Sequence, residues 1–225
     1  MTTIRLSEPL PMTTRTLYGY WRSSASYRVR IALAVKGLAF DQKAIDLRKG
    51  AQAGFGFTML NPQGMVPYLI DDAAGLNQSL AIIEYLDEVY PEPPLLPADP
   101  LGRARVRAIA LQIACDIHPL NNLRVLKYLK EPLGHNQEAV ETWQRHWIET
   151  GFAALEEVAE AATGKYLFGD NVTIADVCLV PQFYNARRVQ ADVARFPKLA
   201  AIDVRLNALP AFAAARPERQ KDAIK

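Results

Sequence analysis

Cysteine is nearly absent from this sequence: Cys115 and Cys178 stand far apart, with no CxxC pair. No disulfide framework is expected, and the usage fits a reducing compartment. Histidine is as scarce, and His118, His135 and His146 show no ligand spacing with each other or with the cysteines, so no metal site is expected. Charge of one sign is missing too. A formal net charge of +2 gives no basis for binding nucleic acid or an anionic membrane. No uninterrupted apolar run is long enough to span a bilayer. Met1 to Thr14 holds no apolar stretch of the secretory kind, so a cytoplasmic location is expected. Glycine is outnumbered by proline, 12 to 15, which favours defined turns over flexible linkers.

What is present is a folded chain. The 225 residues are 50% hydrophobic and 22% charged, ample for a real core and wrong for disorder. The first half mixes periods. Thr16–Tyr20 reads as a strand, Ser24–Lys36 as a helix stopped by Gly37, and Phe40–Leu47 as a second strand. After a weakly patterned stretch over 48–60, Val66–Ile70 reads as a strand, Asp71 to Gly75 as a turn, and Leu76 as the start of a partner strand. Ser79 stands where an N-cap belongs, before a helix over Leu80–Tyr90. Prolines 91, 93, 94, 97 and 100 then break the pattern and mark a domain boundary. Beyond it every segment reads as helical: 101–130, 136–162, 173–190, 198–208 and a piece near 210–215. The expected layout is a disordered tail over 1–13, with Met12 as an alternative start, an α/β domain over 14–92, a linker over 93–102, and an all-α domain over 103–225.

Three short segments can carry chemistry. The first, Trp21-Arg22-Ser23-Ser24-Ala25-Ser26, opens the first helix. A helix N-terminus offers unpaired amides and a positive dipole end, so an anion, including a thiolate, is favoured there; a plain serine cap is the competing reading. The second, Asn61-Pro62-Gln63-Gly64-Met65-Val66-Pro67, places a proline at a strand start, where a cis bond would leave the Val66 backbone facing an extended peptide. The third, Asn77-Gln78-Ser79, opens the next helix and suits a carboxylate.

In this order on a β-α-β-β-α layout, the three segments resemble the glutathione transferases. From Arg22 through Leu33, and again from Gln78 through Leu86, the sequence looks like the zeta class; Asp116 through Arg124 and Leu179 through Gln182 continue the likeness. The resemblance implies a thioredoxin-like N-terminal domain, a helical C-terminal domain, a homodimer, and glutathione as cofactor. It implies Ser23 and Ser24 as catalytic residues, with Ser23, Ser24, Ala25, Gln52, Val66, Gln78, Ser79, His118 and Asn122 toward glutathione. Arg22, Arg124 and Arg188 would hold a small dicarboxylate substrate. The implied reaction is cis–trans isomerisation of maleylacetoacetate, in tyrosine and phenylalanine breakdown, by thiolate addition, rotation and elimination. Maleylpyruvate isomerisation, general conjugation of electrophiles or α-haloacids, and a non-catalytic binding module are the alternatives. The zeta motif often carries cysteine where this chain has Ala25, so no protein thiol is available there; the sulfur must be borrowed.

Other candidates divide by their neighbours. Thr173-Ile174-Ala175-Asp176, flanked by Val172 and Val177, reads as a capping box with a hydrophobic staple, which assigns Asp176 to folding. His118-Pro119 lies inside a predicted helix and should kink it. Arg103, Arg105 and Arg107 read as a solvated or dimer-facing surface. Arg187 reads as exposed, and Arg188 as either a substrate arginine or a helix-end cation.

Overall fold

The computed structural model describes residues 15–224; the expected tail over 1–13 and the alternative start at Met12 lie outside them. Strand β1, Arg15–Gly19, alternates buried and half-buried residues and runs through the middle of a four-stranded sheet. Helix α1, Ser24–Val35, crosses to β2, Asp41–Ala44, which pairs parallel with β1. The second strand is shorter than expected. Asp46 ends it by capping a 3-10 turn over Leu47–Lys49, its side chain accepting from the Arg48 amide. A second 3-10 turn, Ala51–Ala53, and the short helix α2, Phe55–Thr58, fill the weakly patterned stretch. Strands β3, Tyr68–Asp71, and β4, Ala74–Asn77, complete the sheet antiparallel, in the order β2-β1-β3-β4. Their loop is only Asp72-Ala73, tighter than the expected five-residue turn; Asp72 takes φ +51°, as short hairpin loops require.

Helix α3, Ser79–Val89, corrects the expectation at its start. Gln78 holds the cap position with φ +65° and makes no side-chain cap bond, and Ser79 is the first helical residue. That left-handed step turns the Ser79 side chain inward. The helical half begins with α4, Pro100–Leu111, capped by Asp99. The helix starts one residue before the expected segment, because Pro100 is preorganised for the first helical position.

The expected single kinked helix over 101–130 is instead three pieces. Gln112–Ile117 widens into a π-helix, His118–Asn121 tightens into a 3-10 turn, and Asn122 caps a fresh helix α5, Leu123–Lys130. Pro119 is the cause: it lacks an N–H and crowds the carbonyl one turn back. Gly151 permits this packing, since a Cβ there would collide with Ile117. Helices α6, Gln137–Ala161, α7, Ile174–Arg188, α8, Pro197–Asn207, and α9, Pro210–Ala215, follow.

Helix α1 lies between sheet and helices, touching α3, α7 and α9. Ser26 through Leu33 are all buried, so it has no solvated face at mid-length. Arg30 is accommodated there by carbonyls, donating to Ala215 O at 3.1 Å and Trp21 O at 2.8 Å. Arg107 of α4 meets Glu84 of α3 at 2.8 Å across the two halves, and within the α/β half Lys36 meets Asp87 at 2.6 Å. Arg107 is thus an interdomain clasp rather than part of a solvated stretch. Arg187 is exposed as expected, and it pairs with the buried Asp203 at 2.6 Å.

Candidate functional site

The start of α1 separates its serines by task. Ser23 is the N-cap: its Oγ accepts from the Ser26 amide at 3.2 Å and its carbonyl from the Tyr27 amide at 2.8 Å. Since a helix leaves its first amides without intrahelical partners, those of Ser24 and Ala25 remain for a ligand. Ser24 donates its hydroxyl across to the Pro181 carbonyl at 3.5 Å, a long bond to α7. Ser26 is fully buried.

Three adjoining hollows open along this helix start, and His118 and Asn122 line all of them. The first, about 360 Å³, holds Arg22, Ser23, Ser24, Lys127 and Arg188. The second, about 270 Å³, holds Ser23, Ala25, Gln52, Val66 and Arg124. The third, about 320 Å³, holds Ala25, Arg28, Val66, Gln78, Ser79 and Arg124. Every expected site residue therefore lines one cleft between the α/β layer and the π-to-α5 segment. The arginines do not share one hollow, however. Arg22 and Arg188 stand together beside Ser23, whereas Arg124 lies with the glutamines farther along.

The geometry of the second and third hollows suits an extended peptide. The Val66–Pro67 bond is cis. Gln52 is half-buried, and its amide oxygen finds no partner among the described residues. Gln78 donates to Gln63 Oε1 at 3.0 Å, and Ser79 Oγ accepts from Arg28 at 3.1 Å. Burial, then the charge of Arg28, pushes the His118 imidazole down to about 3. It is neutral at physiological pH rather than a cation, and its Nδ1 is buried without a partner among the described residues.

The first hollow has the opposite character. Arg22, Arg48, Lys127 and Arg188 line it, and no acidic side chain does. Arg188 is aligned by Asn185, whose Oδ1 accepts at 2.6 Å. Arg188 is exposed overall; desolvation of its guanidinium, and secondarily Arg22, lowers its pKa, a setting that an anion would relieve. Arg48 is the partly neutralised member, 3.0 Å from Asp46. A larger hollow of about 470 Å³ between α1, α7 and α8 lacks this quality: its polar groups are already matched, Arg187 with Asp203 and Tyr184 with Glu218 at 2.7 Å.

Sequence reading missed Arg28, Arg48 and Lys127. Arg48 and Lys127 sit on a turn and a surface helix, where cations are ordinarily solvated. Arg28 carried a usable signal: it is flanked by apolar positions that cover every side of α1.

A thioredoxin-like layer with a ligand cleft at the start of α1, joined to a helical half, is the arrangement of one large enzyme family. Residues 13–88 match the model of the glutathione S-transferase N-terminal domain, and residues 137–212 that of the C-terminal domain. The chain belongs to the glutathione S-transferase family, and within it to the zeta class. It is 54% identical over 209 residues to the "Probable maleylacetoacetate isomerase" of Vibrio cholerae, covering 92% of this chain and 97% of that one. The solved holo structure of a maleylpyruvate isomerase, a bacterial zeta-class enzyme, superposes with a TM-score of 0.92 at 45% identity, over 93% of this chain and all of the other. Maleylacetoacetate isomerase from Methylobacterium extorquens, solved with malonate and glutathione bound, gives 0.91 at 41% identity over 93% of this chain and 100% of its own.

Proposed function

We propose that this chain is a glutathione-dependent cis–trans isomerase of maleylacetoacetate, serving tyrosine and phenylalanine breakdown, with maleylpyruvate as the alternative substrate. The observation that carries the reading is the first hollow: four cations, no acid, and Ser23 at its edge. Both substrates are dicarboxylates, and apolar walls would desolvate their charge at high cost. The Methylobacterium relative, solved with malonate and glutathione bound, supports a dicarboxylate as the second ligand.

The residues present fit glutathione. Ser23, Ser24 and Ala25 would face its sulfur, Gln52 and Val66 its backbone, and Gln78 and Ser79 its γ-glutamyl end, with His118 and Asn122 along the opposite wall. Bound there, glutathione supplies a thiolate that adds to and leaves from the conjugated double bond, and it is not consumed. The protein does the rest. The α1 amides and the Ser23 hydroxyl lower the thiol pKa from its ordinary value of about 8.5. Arg22 and Arg188, with Lys127, orient the carboxylates and stand ready for charge that develops on the substrate carbonyls. Arg124, lining the other two hollows, belongs to the border between cofactor and substrate.

General conjugation of electrophiles would need no such cationic wall, and a non-catalytic module would need no Ser23. Arg188→Met separates the readings. We expect KM for the dicarboxylate to rise about tenfold or more, as loss of a charged hydrogen bond implies. Conjugation of an uncharged electrophile should be nearly unchanged. A parallel fall of both activities would assign Arg188 to the fold or to glutathione.

We place the enzyme in the cytoplasm. No helix among the described residues is long and apolar enough to cross a membrane.

A further inference from the structure

Two arginines two positions apart on α1, Arg28 and Arg30, are both 2% exposed, and they are treated differently. Arg30 has carbonyl acceptors on three of its nitrogens, at 2.8, 3.1 and 3.5 Å, and stands over the Tyr27 ring at 5.2 Å. Arg28 has one bond, from Nη1 to Ser79 Oγ at 3.1 Å. Its Nε and Nη2 are buried without a partner, and among the described residues no carboxylate pairs with it. A buried, uncompensated cation destabilises the free protein, so an anion nearby would recover part of that cost.

The direction from which an anion could come is set by Ser79. It opens α3 at the wall of the third hollow, where the first amides of that helix lack intrahelical partners. Because Ser79 Oγ accepts from Arg28, its own hydrogen turns away from the guanidinium and is left to donate into the hollow. Neither unpartnered nitrogen of Arg28 is exposed there, so Arg28 acts through Ser79 and through its field.

We infer that Arg28 is a positioning residue for the α-carboxylate of the glutathione γ-glutamyl group: it aims the Ser79 hydroxyl and supplies the countercharge behind it. This rests on the glutathione reading above. It accounts for a fully buried cation in a helix that otherwise packs as core. It also distinguishes Arg28 from Arg30, whose acceptors are all within the protein.

Calorimetry on the full chain with two ligands tests it. One is glutathione, and the other is γ-aminobutyryl-cysteinylglycine, the same tripeptide without that carboxylate. Wild type should prefer glutathione by about tenfold or more, the usual value of a bond to a charged group. Arg28→Met should erase most of that preference while leaving the analogue's affinity unchanged, and the free protein's melting temperature should hold or rise. Ser79→Ala should lose the same preference, and the double variant little more, because the two act as one unit. Arg28→Lys, which keeps the charge without the fixed fork, should fall between and guards against a Met variant that does not fold. Equal weakening of both ligands, or a preference that survives Arg28→Met and Arg28→Lys, would overturn the assignment. A wild type that binds neither ligand would overturn the glutathione reading itself, and this assignment with it.

Discussion

The Ser23 hydroxyl accepts from the Ser26 amide at 3.2 Å, and a hydroxyl that accepts in this way still has a hydrogen to give. Capping and thiolate stabilisation, which compete when only the sequence is read, are therefore compatible in one side chain. Ser24 is committed elsewhere, to the Pro181 carbonyl. We expect Ser23→Ala to lower turnover about tenfold or more, and to raise the pKa of bound glutathione, since one bond to a charged group contributes roughly 1.5–3 kcal/mol. Ser24→Ala should do far less. Thiolate absorbance of the bound cofactor at neutral pH measures this directly; an unchanged signal in Ser23→Ala would move the role to the backbone amides. Residues of this kind were legible because a serine at a helix start has few possible tasks. For Arg28 the apolar flanks signalled burial, but its significance was not legible, because that lies in the acceptors that its neighbours fail to provide. The grouping of Arg22 with Arg188, and the separation of Arg124 from both, also depends on tertiary placement that no spacing encodes.

Among the elements, α7 shows how completely a local pattern can determine structure. Asp176 accepts from the Thr173 amide at 2.8 Å, from the Thr173 hydroxyl at 2.9 Å and from the Leu167 amide at 3.0 Å. The capping box was readable because all its members lie within four residues; only the bond to Leu167 needed the fold. Asp176→Ala would strand two buried backbone donors, each costing about 1–3 kcal/mol. We expect a loss of at least about 2 kcal/mol in urea unfolding, with glutathione affinity at the surviving folded fraction unchanged. A loss below about 1 kcal/mol would mean that the box is ornamental. The α4-to-α5 segment is the converse case. Pro119 announced a disturbance, yet whether it made a kink or a π-helix with a new cap depended on Gly151 of the distant α6 leaving room for Ile117. That disturbance puts His118 and Asn122 on the cleft wall, so the part of the element hardest to read is the part nearest the chemistry.

Across the whole molecule, the succession of strands and helices along the chain and the helical half followed from periodicity and proline punctuation, while the sheet order and the cleft between the halves did not, because no residue pattern reports on a surface made by two distant segments. The exposed apolar side chains follow the same logic. Phe55 on α2 and Met59 at its C-cap are 81% and 68% exposed, and Leu101 on α4 is 60% exposed. One group is on the α/β layer and the other on the first helix of the helical half. That suits a homodimer in which the α/β domain of each chain meets the helical domain of the other. Light scattering at micromolar concentration should return twice 25.0 kDa, and Phe55→Asp with Met59→Asp should return the monomer; a monomeric wild type would remove the proposal. The central claim is that the cleft borrows a thiol without spending it. It is tested most directly by giving purified protein a large excess of maleylacetoacetate, and in parallel maleylpyruvate, over a trace of glutathione. The account predicts many turnovers to the trans product per glutathione, no reaction without it, and glutathione recovered intact. Conversion that stops when glutathione is used up, with thioether accumulating, would contradict it.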